Sequence, residues 1–340
     1  MIFTAQSSFP GRCGSTASGQ SPAQNPFLPE AFSAPGAKKI LFKGHCSESD
    51  VARLVHEAGE DRAVVIGVGG GALLDTAKAV ARRLALPVVA IPTIAATCAA
   101  WTPLSVWYND AGQALHFEIF DDANFLVLVE PRIVLNAPEE YLLAGIGDTL
   151  AKWYEAVVLA PRPETLPLTV RLGINGALAI RDVLLESSEN GARRPAARRA
   201  EPAAAGRYRC DYRRRRNGRR PRRTLYSRCR RPRGAQRPDV LPQTEKFLHG
   251  TKVAYGILVQ SALLGQDEVL AQLVSAYQRF NLPTTLAELD VDIHNQAELE
   301  KVIAHTLRPV ESIHFLPVEL TPQTLTAAFE KVENFHRQVH

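Results

Sequence analysis

The stretch from Ala63 to Lys78, AVVIGVGGGALLDTAK, constrains the fold more than any other part of the chain. Ala63, Val64, Val65 and Ile66 form a short apolar, partly β-branched run that stops at Gly67, as a buried parallel strand does. Gly69, Gly70 and Gly71 come next, and Leu73, Leu74, Ala77 and Val80 then take up helical spacing. The predicted unit is strand, glycine turn, helix. Glycines let a backbone pass close to a phosphate, and the N–H groups and positive dipole end of a new helix favour a diphosphate there. A tight turn with no ligand has the same local pattern, and the spacing is neither G-x-G-x-x-G nor the P-loop series that ends in Lys-Ser/Thr.

The flanking residues sharpen this reading. Pro87 to Ile91 is a second apolar strand, and Pro92-Thr93-Ile94-Ala95-Ala96-Thr97 forms a small hydroxyl-bearing loop at its carboxyl end, where open α/β sheets bind ligands. Together, GGG-x-x-x-D-x-x-K and P-T-x-A-x-T resemble the iron-containing alcohol dehydrogenase family, and within it the glycerol dehydrogenase-like branch. The resemblance covers residues 37–190 and 240–339. It implies a dehydroquinate synthase-like fold, with an α/β nucleotide-binding domain over residues 1–135 and an all-α metal-binding domain over 136–340. The cofactor is then expected between the two domains.

The rest of the chain fits that order. Ile40 to Phe42 is a predicted strand, and Glu48 to Ala58 is an amphipathic helix with Ser47 as its N-cap. Val106 to Tyr108 and Ala114 to Ile119 flank an Asn-Asp-Ala-Gly turn as a hairpin. Phe125 to Val129 is read as another buried strand, ended by Glu130-Pro131. Asn136, Pro138 and the pair Glu139-Glu140 are read as the opening of the helical domain. Helical periodicity runs over 141–159, 168–185 and 250–264, and again in pieces from Glu268 to Val339.

Two stretches do not belong to this pattern. Residues 1–26 are rich in Ser, Gly, Pro and Gln and show no strand period, where the family places its first strand. Codons for Arg12 to Gln20 can be written that, shifted by two bases, read Val-Trp-Ile-Tyr-Gly-Lys-Arg-Ala. The second stretch, Gly191 to Asp239, holds nineteen Arg and three acids, a net +16. The whole chain carries +5, so the remainder carries 5 − 16 = −11, and the basic character is local.

Three readings of that tract stay open. It is an Arg-rich RNA-binding segment with Tyr208, Tyr212 and Tyr226 as stacking residues, a plain solvated insertion, or a shifted reading frame. The third is favoured. Codons for Arg209 to Arg220 can be chosen that, moved by one base, read Asp-Ala-Ile-Ile-Ala-Gly-Gly-Gly-Met-Val-Gly, and those for Pro232 to Asp239 likewise read His-Ala-Val-His-Asn-Gly-Leu, which resembles the family's metal-binding helix.

The resemblance also implies a set of site residues. The family binds one divalent ion, zinc, iron or similar, through one Asp and two His. Asp148 and His249 match two of these ligands. The third should stand at Pro232, which has no donor atom, so the chain is expected to be impaired as it stands. Gly69, Gly70, Gly71 and Asp75 match the pyrophosphate turn of NAD or NADP, and Thr93, Thr97, Thr102, Leu104 and Tyr108 match positions around the cofactor. Asp75 equally suits a pair within its own helix, and Lys78 a solvated face. No catalytic side chain beyond the metal ligands is expected. Cys98 stands where glycerol dehydrogenases carry an Asp, which favours a small 2-oxo or 2-hydroxy acid over a polyol, with glycerol-type oxidation as the alternative.

The five cysteines are odd in number and form no C-x-x-C pair, which suggests a reducing, cytoplasmic setting. No signal organisation opens the chain, and the uncharged run 84–109 contains Pro87, Pro92 and Pro103, so it is read as strand plus loop and not as a membrane span. The expected partner is a small molecule, with homo-oligomerisation left open. Counterion release separates the enzyme from the RNA-binding reading: filter retention of RNA is expected to be weak at every salt concentration, whereas tight retention that falls steeply with salt would establish the Arg tract as a nucleic-acid site.

Overall fold

The computed structural model describes residues 2–4, 37–160, 163–189, 241–309 and 311–338. Most of the amino-terminal stretch and all of the 191–239 tract therefore lie outside the described residues. Two compact units are present, residues 1–149 with 248–250, and residues 150–247 with 251–340.

The first unit is built on a parallel sheet. Its strands are β1 (Ile2–Thr4), β2 (Lys39–Leu41), β3 (Val65–Gly69), β4 (Val88–Pro92) and β7 (Leu126–Val127), in the order β2-β1-β3-β4-β7. Between them run α1 (Glu48–Ala58) and α2 (Gly71–Arg83). A separate antiparallel hairpin pairs β5 (Leu104–Tyr108) with β6 (Ala114–Ile119), and α3 (Pro131–Leu135) and α4 (Glu139–Leu159) come after β7. The core of this unit gathers Val51 and Leu54 of α1, Val65 of β3, Leu73, Leu74 and Val80 of α2, and Trp107 of the hairpin, all nearly inaccessible to solvent.

Strong local signals act as the sequence predicts. Helix α1 has the expected bounds, and the Ser47 hydroxyl accepts from the Asp50 N–H at 3.3 Å, satisfying one of the amides that a helix leaves open at its start. Four expectations are corrected. First, Ile2-Phe3-Thr4, in the stretch expected to lack a strand, pairs in parallel with both β2 and β3. Three residues are too few to show a period. Second, β3 does not stop at Gly67 but continues to Gly69, because Gly67, Val68 and Gly69 go on pairing with Ala90, Ile91 and Pro92 of β4, while the missing side chain at Gly67, whose Cβ would meet that of Ala77 at 2.7 Å, lets α2 lie close on the strand.

Third, the apolar run 125–129 is not buried. Only Leu126 and Val127 pair, at the sheet edge, and Phe125 is 73% exposed. Fourth, Glu130, Pro131 and Asn136 serve α3. Glu130 is its N-cap, accepting from the Arg132 N–H at 3.1 Å, Pro131 is its first residue, and Asn136 is its C-cap and not the start of the next helix.

The second unit is helical. It holds α5 (Leu168–Glu189), most of α6 (His249–Leu263), α7 (Asp267–Phe280), α8 (Gln296–Thr306) and α9 (Pro322–Gln338). Helix α7 packs against α5 and α9, and α8 packs against α9. Leu270, Leu273, Val274 and Tyr277 of α7 and Leu325 and Val332 of α9 are fully buried. Helix α5 differs: Leu168, Leu172, Ile180 and Val183 are exposed along it. Among the described residues no helix is long and apolar enough to cross a membrane.

The Ser47 cap gives a direct check on α1. Ser47→Ala is expected to destabilise the first unit by about 1 kcal/mol, measured by urea unfolding with a probe in that unit.

Candidate functional site

Strand β3 ends at Gly69 and α2 begins at Gly71, so the glycine turn is the single residue Gly70, the N-cap of α2. The first turn of α2 carries no acid, which leaves the positive end of its dipole unopposed. The 93–97 loop folds onto this turn. The Thr93 N–H donates to the Gly69 carbonyl at 3.1 Å, Ile94 lies over Gly70, and the Thr97 hydroxyl lies over Gly71, where a Cβ would be 2.9 Å away. The Thr93 hydroxyl is buried and meets no hydrogen-bond partner among the described residues. A buried hydroxyl left open beside a glycine-lined helix start fits a phosphate-bearing ligand.

Asp75 lies one turn further along α2. Its Oδ1 is 2.8 Å from the Lys78 Nζ, and its Oδ2 accepts from the Val106 N–H at 3.1 Å. The pairing within one helix is therefore present. Lys78 does not face solvent: it is 3% exposed and donates to the carbonyls of Ala99, Thr102 and Leu104. Leu104 thus enters the structure through its backbone, and Thr102 through its backbone and its hydroxyl, which donates to the Cys98 carbonyl. Tyr108 enters through its backbone in part, its N–H donating to the Cys46 carbonyl at 2.9 Å while its half-buried ring lies 6.0 Å from that of His45. Burial pushes the Cys46 thiol up to about 12, so that cysteine stays protonated in the core. Cys98 is half-buried at the end of the loop, and its carbonyl accepts from the Trp101 N–H.

Asp148 and His249 are far apart in sequence and close in space. Asp148 is in the third turn of α4 and 2% exposed, and His249 is the first residue of α6. The His249 Nε2 and Asp148 Oδ1 are 3.8 Å apart. Two ligands each about 2.1 Å from a tetrahedral ion stand about 3.4 Å from one another, so this pair suits a divalent cation. Among the described residues no third His, Cys, Asp or Glu completes the group, and Pro232 lies outside them.

Two contacts bring this pair to the nucleotide loop, and the sequence alone predicts neither. A Cβ on Gly145 would lie 1.6 Å from the Ala95 carbonyl oxygen, and one on Gly250 would lie 1.8 Å from that of Ala144. Helix α4 therefore touches the 93–97 loop backbone to backbone, and α6 touches α4 in the same way. The small residues Ala144-Gly145 ahead of Asp148, and Gly250 after His249, are the only trace of these contacts in the sequence.

Comparison with known proteins identifies the family. A probable glycerol dehydrogenase from Sinorhizobium meliloti has a similar structure, with a TM-score of 0.70 and 25% identity over 89% of this chain and 86% of that one. Residues 37–131 match the family model for iron-containing alcohol dehydrogenase. Hydroxycarboxylate dehydrogenase A from Escherichia coli is 71% identical over 91% of this chain and 85% of its own length. The chain belongs to the iron-containing alcohol dehydrogenase family. A glycerol dehydrogenase from Thermotoga maritima is 32% identical over 90% of the chain and 84% of its own length, which places the glycerol dehydrogenase-like enzymes among its relatives. Family membership makes the protein a dehydrogenase of the class that uses NAD(P) and a metal.

The Gly250 contact has a measurable consequence. In Gly250→Ala the new methyl would displace α6 from Ala144 and with it His249 from Asp148. Affinity for a divalent ion such as Co2+ is expected to fall by about 10–100-fold, read by titration of the cobalt absorption bands.

Proposed function

We propose that the protein is a cytoplasmic dehydrogenase that reduces small 2-oxo acids to 2-hydroxy acids with NADH or NADPH. Residues 1–135 are read as its nucleotide part and residues 136–340 as its metal part. The observation that carries the substrate is Cys98, an uncharged, half-buried residue at the end of the 93–97 loop, with Ala99 and Ala100 after it. An Asp at that position would accept hydroxyl hydrogens from a polyol and repel a carboxylate, and Cys98 does neither. The name of the 71% identical relative, a hydroxycarboxylate dehydrogenase, supports the same substrate class.

Each group of residues has its own task. The backbone of Gly69, Gly70 and Gly71 and the start of α2 receive the diphosphate of the cofactor. Thr93 offers its buried hydroxyl, Thr97 closes the loop over the turn, and Asp75, Thr102, Leu104 and Tyr108 shape the surrounding wall. Asp148 and His249 hold the divalent ion, whose identity as zinc, iron or another metal is left to its availability. When bound, the ion supplies Lewis-acid polarisation of a substrate oxygen and the nicotinamide supplies the hydride. No other side chain is assigned a proton.

Polyol oxidation is the second reading, carried by the glycerol dehydrogenases among the relatives. The two are separated by kinetics on the protein with its reading frame restored across 191–239. The ratio of kcat/KM for a small 2-oxo acid to that for glycerol is expected to favour the acid. Cys98→Asp is expected to shift that ratio toward glycerol by about 10–100-fold, the value of one hydrogen bond to a charged group. A parent enzyme that oxidised glycerol far better than it reduced the acid would overturn the proposal.

A further inference from the structure

The segment after Cys98 is bound to the protein through its carbonyls to an unusual degree. The Lys78 ammonium donates to Ala99 O at 2.9 Å, to Thr102 O at 3.1 Å and to Leu104 O. The carbonyl of Cys98 accepts from the Trp101 N–H at 3.0 Å and the Thr102 hydroxyl at 3.3 Å, and that of Ala100 from the Asn124 amide at 2.6 Å. Asp75 secures the far end. Its carboxylate binds the Val106 N–H and its own carbonyl accepts from the Ser105 hydroxyl at 2.7 Å. One ion pair in α2, 6% and 3% exposed, therefore holds residues 99–106 at both ends. The Trp101 side chain, by contrast, is 63% exposed.

Stability alone does not call for an ion pair at this place. The buried positions of α2 run from Leu73 to Ala81 and, Asp75, Thr76 and Lys78 apart, are apolar, so an apolar pair at 75 and 78 would continue them. Buried ion pairs are commonly no more stabilising than such a replacement, and what they add is a defined geometry. An ammonium has three protons to share among four oxygens arranged around it, whereas a guanidinium presents a planar fork and a thioether presents no proton. Lysine is suited to gather three carbonyls of one irregular segment, and neither arginine nor methionine is.

We propose that Lys78, backed by Asp75, is the positioning residue for the segment that carries Cys98 and Trp101, and that it thereby sets how a substrate approaches Cys98. The positioning rests on the contacts above. The consequence for the substrate rests in addition on the reading of Cys98 as a substrate-facing residue under Proposed function.

The chain contains three tryptophans, Trp101, Trp107 and Trp153, which makes fluorine NMR of the full-length protein labelled with 5-fluorotryptophan a direct probe. Trp101→Phe and Trp153→Phe assign the lines. In both Lys78→Met and Lys78→Arg the Trp101 line is expected to shift and broaden while the Trp153 line stays in place, a pattern that general loss of stability would not give. If Lys78→Met loses all its dispersed lines, Lys78→Arg decides, since it keeps the charge. A Trp101 line at its parent position in Lys78→Arg overturns the positioning role. A second arm adds saturating Co2+, NADH and then pyruvate, as the probe for a small 2-oxo acid, to the parent and to Lys78→Arg. The parent Trp101 line is expected to move on addition of pyruvate, and the concentration needed is expected to rise by roughly tenfold in the variant. A parent line that ignores pyruvate overturns the substrate half and leaves the positioning to the first arm.

Discussion

Backbone pressed directly against backbone is the constraint on which the candidate site depends. The 93–97 loop hangs from the carboxyl end of β4, and β4 is registered residue by residue with β3, whose end forms the glycine turn. Helix α4 reaches that loop only because Gly145 has no side chain to meet Ala95, and α6 reaches α4 only because Gly250 has none to meet Ala144. Asp148 and His249 inherit their positions from these two contacts. The nucleotide turn and the donor pair are thus tied together through a short series of main-chain contacts, and main chain in a packed interior deforms little.

How much of this can be read from the sequence depends on the range of each interaction. The strand, turn and helix at Ala63 to Lys78, the capped helix α1 and the β5–β6 hairpin are legible because their signals lie within a few residues of where they act. Asp148 and His249 stand out by motif, and nothing in their own neighbourhood announces that they lie within 4 Å of each other. The burial of Lys78 is illegible for a similar reason. Its acceptors lie 21, 24 and 26 residues downstream, and a lysine is ordinarily solvated. The apolar run 125–129 shows the opposite error, since apolar composition signals a strand but does not say that the strand lies inside the sheet.

The charge distribution bears on what kind of molecule this is. Without the 191–239 tract the chain is acidic, and the excess of Arg belongs to that tract alone. The family relationship spans the chain at high identity, yet the position where a third metal ligand is expected holds a proline. A donor pair can hold an ion only loosely, because each protein ligand removed from a site lowers affinity by more than the loss of a supporting hydrogen bond does. In the ligand set that the family resemblance implies, Asp148 and His249 are present and the position expected for the third is Pro232.

Helix α5 bears on how the protein behaves in a test tube or a cell. Leu168, Leu172, Ile180 and Val183 face solvent along one helix, and rows of this kind are sticky. Encounters between two such molecules scale with the square of their concentration, while folding of each chain does not depend on concentration at all. Losses to crowding of like with like are therefore expected to grow with concentration: a slower, more dilute synthesis is expected to recover a larger soluble fraction than a stronger promoter, and a preparation concentrated for crystallisation to aggregate sooner than the same preparation kept thin.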